Sequence, residues 1–95
     1  MFTGIITGLG TVIGVGPLAD GARLRIRLPN GFPLPGRGDS VAIDGACLTA
    51  VELENDVMVV EAIAETLRRT TIGGLSAGRK VNLEPALALG DRLAG

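Results

Sequence analysis

Glycine or proline interrupts this chain so often that little room is left for helix. Fifteen glycines and five prolines fall within 95 residues. Both are poor helix formers, and both favour turns. Between them lie short apolar runs rich in Val and Ile, the pattern of an all-β chain. The clearest run is "ARLRIRL" at 22–28. Leu24, Ile26 and Leu28 fall on one side of it, and Arg23, Arg25 and Arg27 on the other. Such a period of two marks a half-buried strand.

The other elements follow from the same punctuation. Runs at 2–7 and 10–15 are separated by Gly8 and Leu9, a spacing that predicts a hairpin or a sharp bend. Residues 29–39 read as a loop, with three prolines and three glycines and few ladder donors. Strands are predicted at 40–43 and 46–53, joined by the hairpin dipeptide Asp44-Gly45. A turn at 54–56 leads to a strand at 57–63. Residues 64–70 are the one helical candidate, with Arg68 and Arg69 in the last turn, where cations suit the helix dipole. No Ser, Thr, Asp or Asn caps its start. A turn at 73–78 precedes a strand at 79–87, which Pro85 must end or place on an edge. About six strands and one short helix in a single domain, 1–95, point to a sandwich or a small closed barrel. Closure removes free edges, which suits a chain so poor in edge-guarding lysines.

Composition excludes several functions. There are two Phe and no Trp or Tyr, so bases would find little to stack on. Net charge is −1 and the cations are scattered, with only Arg68-Arg69 adjacent; that is no nucleic-acid footprint. One Cys and no His make neither an internal disulfide nor a zinc site. No apolar run approaches the roughly 20 residues of a membrane span. The start, "MFTGIITGLG", lacks a basic n-region. A cytoplasmic protein without a nucleic-acid or membrane partner is expected.

Three stretches carry candidate chemistry. In "MFTGIIT", Gly4 sits inside a strand pattern, which means a bulge or the close approach of a ligand. In "SVAIDGACLTAV", alternation puts Thr49 on the same face as Cys47 and Leu48 on the other. Cys47 is then either a small buried hydrophobe or a group facing a ligand. Without histidine, a Cys–His nucleophile is not supported. In "EAIAETLRRTT", Glu61, Glu65 and Thr66 offer polar side chains. Backbone groups where strand gives way to helix can meet a heterocycle edge, or the segment is simply a solvated, charged helix.

Taken together, "MFTGII", "GDSVAIDGACLT", "ETLRRTTIGGL" and "GRKVNLEPALALGDRLAG" resemble riboflavin synthase in order and spacing, with the weakest match at 16–37. The resemblance is to the N-terminal half of that family's enzymes. It implies a six-stranded antiparallel Greek-key closed barrel with one short helix, one of two in tandem. The family converts two molecules of 6,7-dimethyl-8-ribityllumazine into riboflavin and a pyrimidinedione, with no metal and no organic cofactor. Each barrel holds one lumazine, and the catalytic site lies between barrels of different subunits in a trimer.

Carried over residue by residue, the resemblance assigns Phe2, Ser40 and Cys47 to the chemistry. It assigns Gly4, Ile5, Ile6, Cys47, Leu48, Thr49, Glu61, Ala62, Ile63, Ala64, Glu65 and Thr66 to ligand contact. Cys47 is expected to face a pocket at the barrel mouth beside Thr49. The sequence departs from the family at Asp44, Ala46 and Ala64, where Asn, a larger apolar residue and Ser or Pro are common. It also stops at "GDRLAG", where the family continues with Gly-His and a second barrel. The expectation is a homodimer or homotrimer that binds lumazine or riboflavin and turns over weakly or not at all. Two alternatives stand beside it: a short enzyme working through two identical barrels, and a non-enzymatic lumazine or flavin carrier.

Overall fold

The computed structural model describes residues 8–85. Its elements are β1 (Gly8–Leu18), β2 (Gly21–Arg27), β3 (Ser40–Ile43), β4 (Ala46–Glu54), β5 (Val57–Ile63), α1 (Ala64–Arg69), a 3-10 turn (Thr71–Gly74) and β6 (Lys80–Pro85). Every pairing is antiparallel, and the order β1-β2-β5-β4-β3-β6 closes into a barrel. This is the expected six-stranded Greek-key barrel with one short helix. The assigned residues Phe2, Gly4, Ile5 and Ile6 lie outside the described residues.

Alternation builds the wall. In β2, Ala22, Leu24 and Ile26 are buried and Arg23, Arg25 and Arg27 are exposed. Leu24 and Ile26 meet Val12, Val41, Ile43, Leu48, Met58, Val60, Val81 and Leu83 in one core cluster. Burying each large side chain contributes roughly 1.5–3 kcal/mol. Barrel diameter grows with strand number, and about eight strands leave an interior only just wide enough for side chains to fill, so six leave no lumen. The barrel interior belongs to this cluster, which leaves the outer wall and the ends of the barrel as the surfaces open to a ligand.

Asp44 and Gly45 take positive φ of 48° and 85°, as a two-residue hairpin turn of the primed type requires. Asp44 also ties the turn to β6: its N–H donates to the Asn82 carbonyl at 2.8 Å, and its Oδ1 accepts from the Asn82 N–H at 2.7 Å. Two bulges curve the wall, one between Val12 and Gly14 in β1, the other between Ala50 and Glu52 in β4. Each extra residue bends its strand and flips the alternation beyond it. Leu53 thus packs against the core opposite Met58.

Gly8 and Leu9 do not form the expected bend. They are strand residues paired with Leu83 and Asn82 of β6, a partner whose distance along the chain hides it from local reading. The helix starts without a side-chain cap, as its sequence implies. The Ala64 N–H instead donates to the Asp20 carbonyl at 2.8 Å, which anchors α1 to the β1–β2 turn. At its other end the Thr70 hydroxyl donates to the Thr66 carbonyl at 2.7 Å and accepts from the Ile72 N–H at 3.2 Å. The chain thereby passes directly into the 3-10 turn (Thr71–Gly74), which begins two residues before the turn that the sequence marks at 73–78.

Candidate functional site

The strand register assembles two rows on the outside of the barrel. The first runs across five strands: Gly16 opposite Arg23, Arg23 opposite Glu61, Glu61 opposite Thr49, and Thr49 opposite Ser40. The second row lies one step toward α1. On one side it has Leu18 opposite Gly21 and Gly21 opposite Ile63. On the other it has Cys47 opposite Ala42 and Ala42 opposite Glu84. Neighbours in a row have side chains within reach of one another. The first row is polar, while the second is largely apolar. Ile63 is 66% exposed and Leu18 37% exposed, with a glycine between them.

Between the two halves of the second row the sheet opens. The β4–β5 register ends at Thr49–Glu61. Beyond it, β4 continues against β3 and β5 against β2. Facing backbone edges at Cys47–Leu48 and Ala62–Ile63 thus lie outside that ladder. Strand edges of this kind present a ready pattern of donors and acceptors.

The residues assigned from sequence divide clearly. Cys47 and Thr49 share the outer face and are both exposed, so the reading of Cys47 as a buried hydrophobe fails. Ser40, Glu61, Ala64 and Thr66 are partly exposed, and Ile63 and Glu65 are exposed. Glu65 pairs with Arg69 at 3.7 Å within the helix. Leu48 and Ala62 are buried in the core cluster. Their side chains cannot line an outer wall, and only their backbone can.

Arg23 is a member of this wall that the sequence reading did not single out. Its Nη2 and Nε both donate to Glu61 Oε2, at 2.6 and 3.1 Å. The alternating arginines of β2 were the available signal. A concavity of about 830 Å³ also adjoins the second row, lined by Ala42, Asp44, Thr71, Arg79, Asn82 and Glu84 among others. Of the described residues assigned from sequence, none lines it, although Cys47 is the direct neighbour of Ala42 at its edge.

Over residues 3–86 the sequence matches the lumazine binding domain. The chain belongs to the lumazine-binding domain family. Across 96 residues this lumazine-binding domain is 48% identical to the riboflavin synthase of Mycobacterium tuberculosis (strain ATCC 25618 / H37Rv), covering 100% of this chain and 48% of that one. The chain spans about half the length of the curated relatives it matches. Its fold superimposes on the crystal structure of LumP complexed with riboflavin with a TM-score of 0.82 at 29% identity, covering 95% of this chain and 51% of that chain. LumP complexed with 6,7-dimethyl-8-(1'-D-ribityl) lumazine gives a TM-score of 0.83 at 24% identity, covering 90% and 49%, and shares the fold.

Proposed function

We propose that this domain binds 6,7-dimethyl-8-ribityllumazine or riboflavin on the outer wall of the barrel, and that it forms one half of a riboflavin synthase active unit. The observation that carries the reading is the pair of rows. A flat heterocycle needs an apolar platform and a donor–acceptor edge, and Leu18, Gly21 and Ile63 with the open β4–β5 edge offer both. A polyhydroxyl tail needs hydroxyls and carboxylates, which Ser40, Thr49 and Glu61 supply one step away. Strand residues on one face recur about 7 Å apart, a spacing that suits a ring on one row and its tail on the other.

In this reading the chain corresponds to the N-terminal barrel of the full-length enzymes. Two lumazines react when a four-carbon unit passes from one to the other, and holding them together supplies much of the rate. One wall holds one ligand, so the second must come from another barrel. A homodimer or homotrimer of this chain brings two walls face to face. Cys47 borders the ring as the side chain placed for proton transfer or transient addition, and Ser40 stands one step away beside Thr49 in the row that meets the tail. The test is to mix the protein with 6,7-dimethyl-8-ribityllumazine and follow its fluorescence and the appearance of riboflavin. Binding with little turnover supports a half-site. Binding without turnover is equally the half-site outcome, whereas riboflavin formed in proportion to protein would favour a short enzyme working through two identical barrels. An absence of binding at high micromolar ligand removes the reading.

A further inference from the structure

We propose that the Arg23–Glu61 ion pair is the specificity determinant of this wall, favouring a free ribityl tail over a phosphorylated one. The inference rests on the ligand reading above and concerns the far end of the ligand rather than the ring. Arg23 directs both donors at a single oxygen, Glu61 Oε2. Among the described residues, Glu61 Oε1 takes part in no hydrogen bond. It remains an acceptor in the polar row beside Thr49. A carboxylate fixed by a guanidinium accepts hydroxyl hydrogens well, because charged acceptors make the stronger bonds.

The same pair disfavours a terminal phosphate. The Arg23 guanidinium is the nearest cation along this row, and Glu61 already occupies two of its donors. A phosphate arriving there meets a carboxylate first, and like charges repel. The next arginines of β2 are also engaged: Arg25 lies 3.9 Å from Glu54 and Arg27 lies 3.7 Å from Asp56. The wall therefore presents three arginines with their charge compensated. Arg23 and Glu61 side chains are 50% and 37% exposed, and a pair this exposed adds little to folding stability. Variants at either position should fold, so effects on binding can be read separately.

The experiment is a titration of riboflavin and of flavin mononucleotide, followed by flavin fluorescence, for the native chain and for Glu61→Gln, Arg23→Ala and Arg23→Lys. The native chain should prefer riboflavin. Glu61→Gln removes the repelling charge and frees the guanidinium, so the preference should shift toward the mononucleotide by about tenfold. Arg23→Ala leaves the carboxylate uncompensated, and the preference should move several-fold the other way. Arg23→Lys keeps a cation beside Glu61 and should restore most of the native ratio. A loss of general structure would weaken both ligands alike and cannot give opposite shifts. The proposal is overturned if the ratio is unchanged, or if Glu61→Gln and Arg23→Ala move it in the same direction. Binding of neither flavin to the native chain would instead overturn the underlying ligand reading.

Discussion

Cys47 and Leu48 are consecutive in β4 and lie on opposite sides of the barrel wall. Leu48 belongs to the core cluster with 4% exposure, while Cys47 is exposed on the outer face. Their substitutions should differ accordingly. Leu48→Ala should cost about 2–5 kcal/mol through lost burial and a cavity. Cys47→Ser should stay within about 0.5 kcal/mol, as surface changes do. Urea unfolding of the two variants checks this, and equal destabilisation would place Cys47 in the core.

Gly21 joins the platform to the barrel. A Cβ there would collide with the Ala62 carbonyl oxygen, which is backbone and cannot swing aside. Gly21→Ala should therefore force β2 and β5 apart where Gly21 faces Ile63, costing about 1–3 kcal/mol as overpacking does. Lumazine affinity should fall with it. A thermal melt and a ligand titration of the same variant read both effects.

The Asp44 turn separates a backbone effect from a hydrogen-bond effect. Asp44→Asn keeps an acceptor for the Asn82 N–H and tolerates the positive φ, so stability should change little. Asp44→Ala loses the acceptor and tolerates φ poorly, with an expected cost of about 1–2 kcal/mol. Denaturant midpoints of the two variants decide the matter. Equal midpoints would mean that the tie from Asp44 to β6 carries no weight.

Much of this fold was legible because its cues are local. Alternating arginines announce β2, and Asp44-Gly45 announces the hairpin that the structure contains. What stayed hidden depends on distant partners. Gly8 and Leu9 look like a bend until β6 pairs with them. The bulge between Ala50 and Glu52 reverses the inward set with no sequence mark of its own. The face shared by Cys47 and Thr49 followed from alternation, but which side of the wall it occupies did not. Ala46, Leu48 and Ala50, all buried, were the signal that could have settled it. Arg23 escaped because its role depends on a register with β5, 38 residues away.

The platform itself gives a sharper prediction. Ile63 is 66% exposed, so Ile63→Asp should leave the melting temperature nearly unchanged, since surface substitutions rarely matter to folding. It should nevertheless weaken lumazine binding by tenfold or more, because a charge would be buried under the ring at a cost of roughly 1–3 kcal/mol or more. A variant that keeps full affinity would move the ring off this row.

The central claim is that the ligand lies on the outer wall across Cys47 rather than inside the barrel. The most direct measurement is the rate at which a colorimetric thiol reagent modifies Cys47, the only cysteine in the chain, with and without riboflavin. The free protein should react readily, because the thiol is exposed. Saturating riboflavin, with binding verified by fluorescence, should slow the reaction at least tenfold in proportion to occupancy. An unchanged rate with riboflavin bound would contradict the account and place the ligand elsewhere on the molecule.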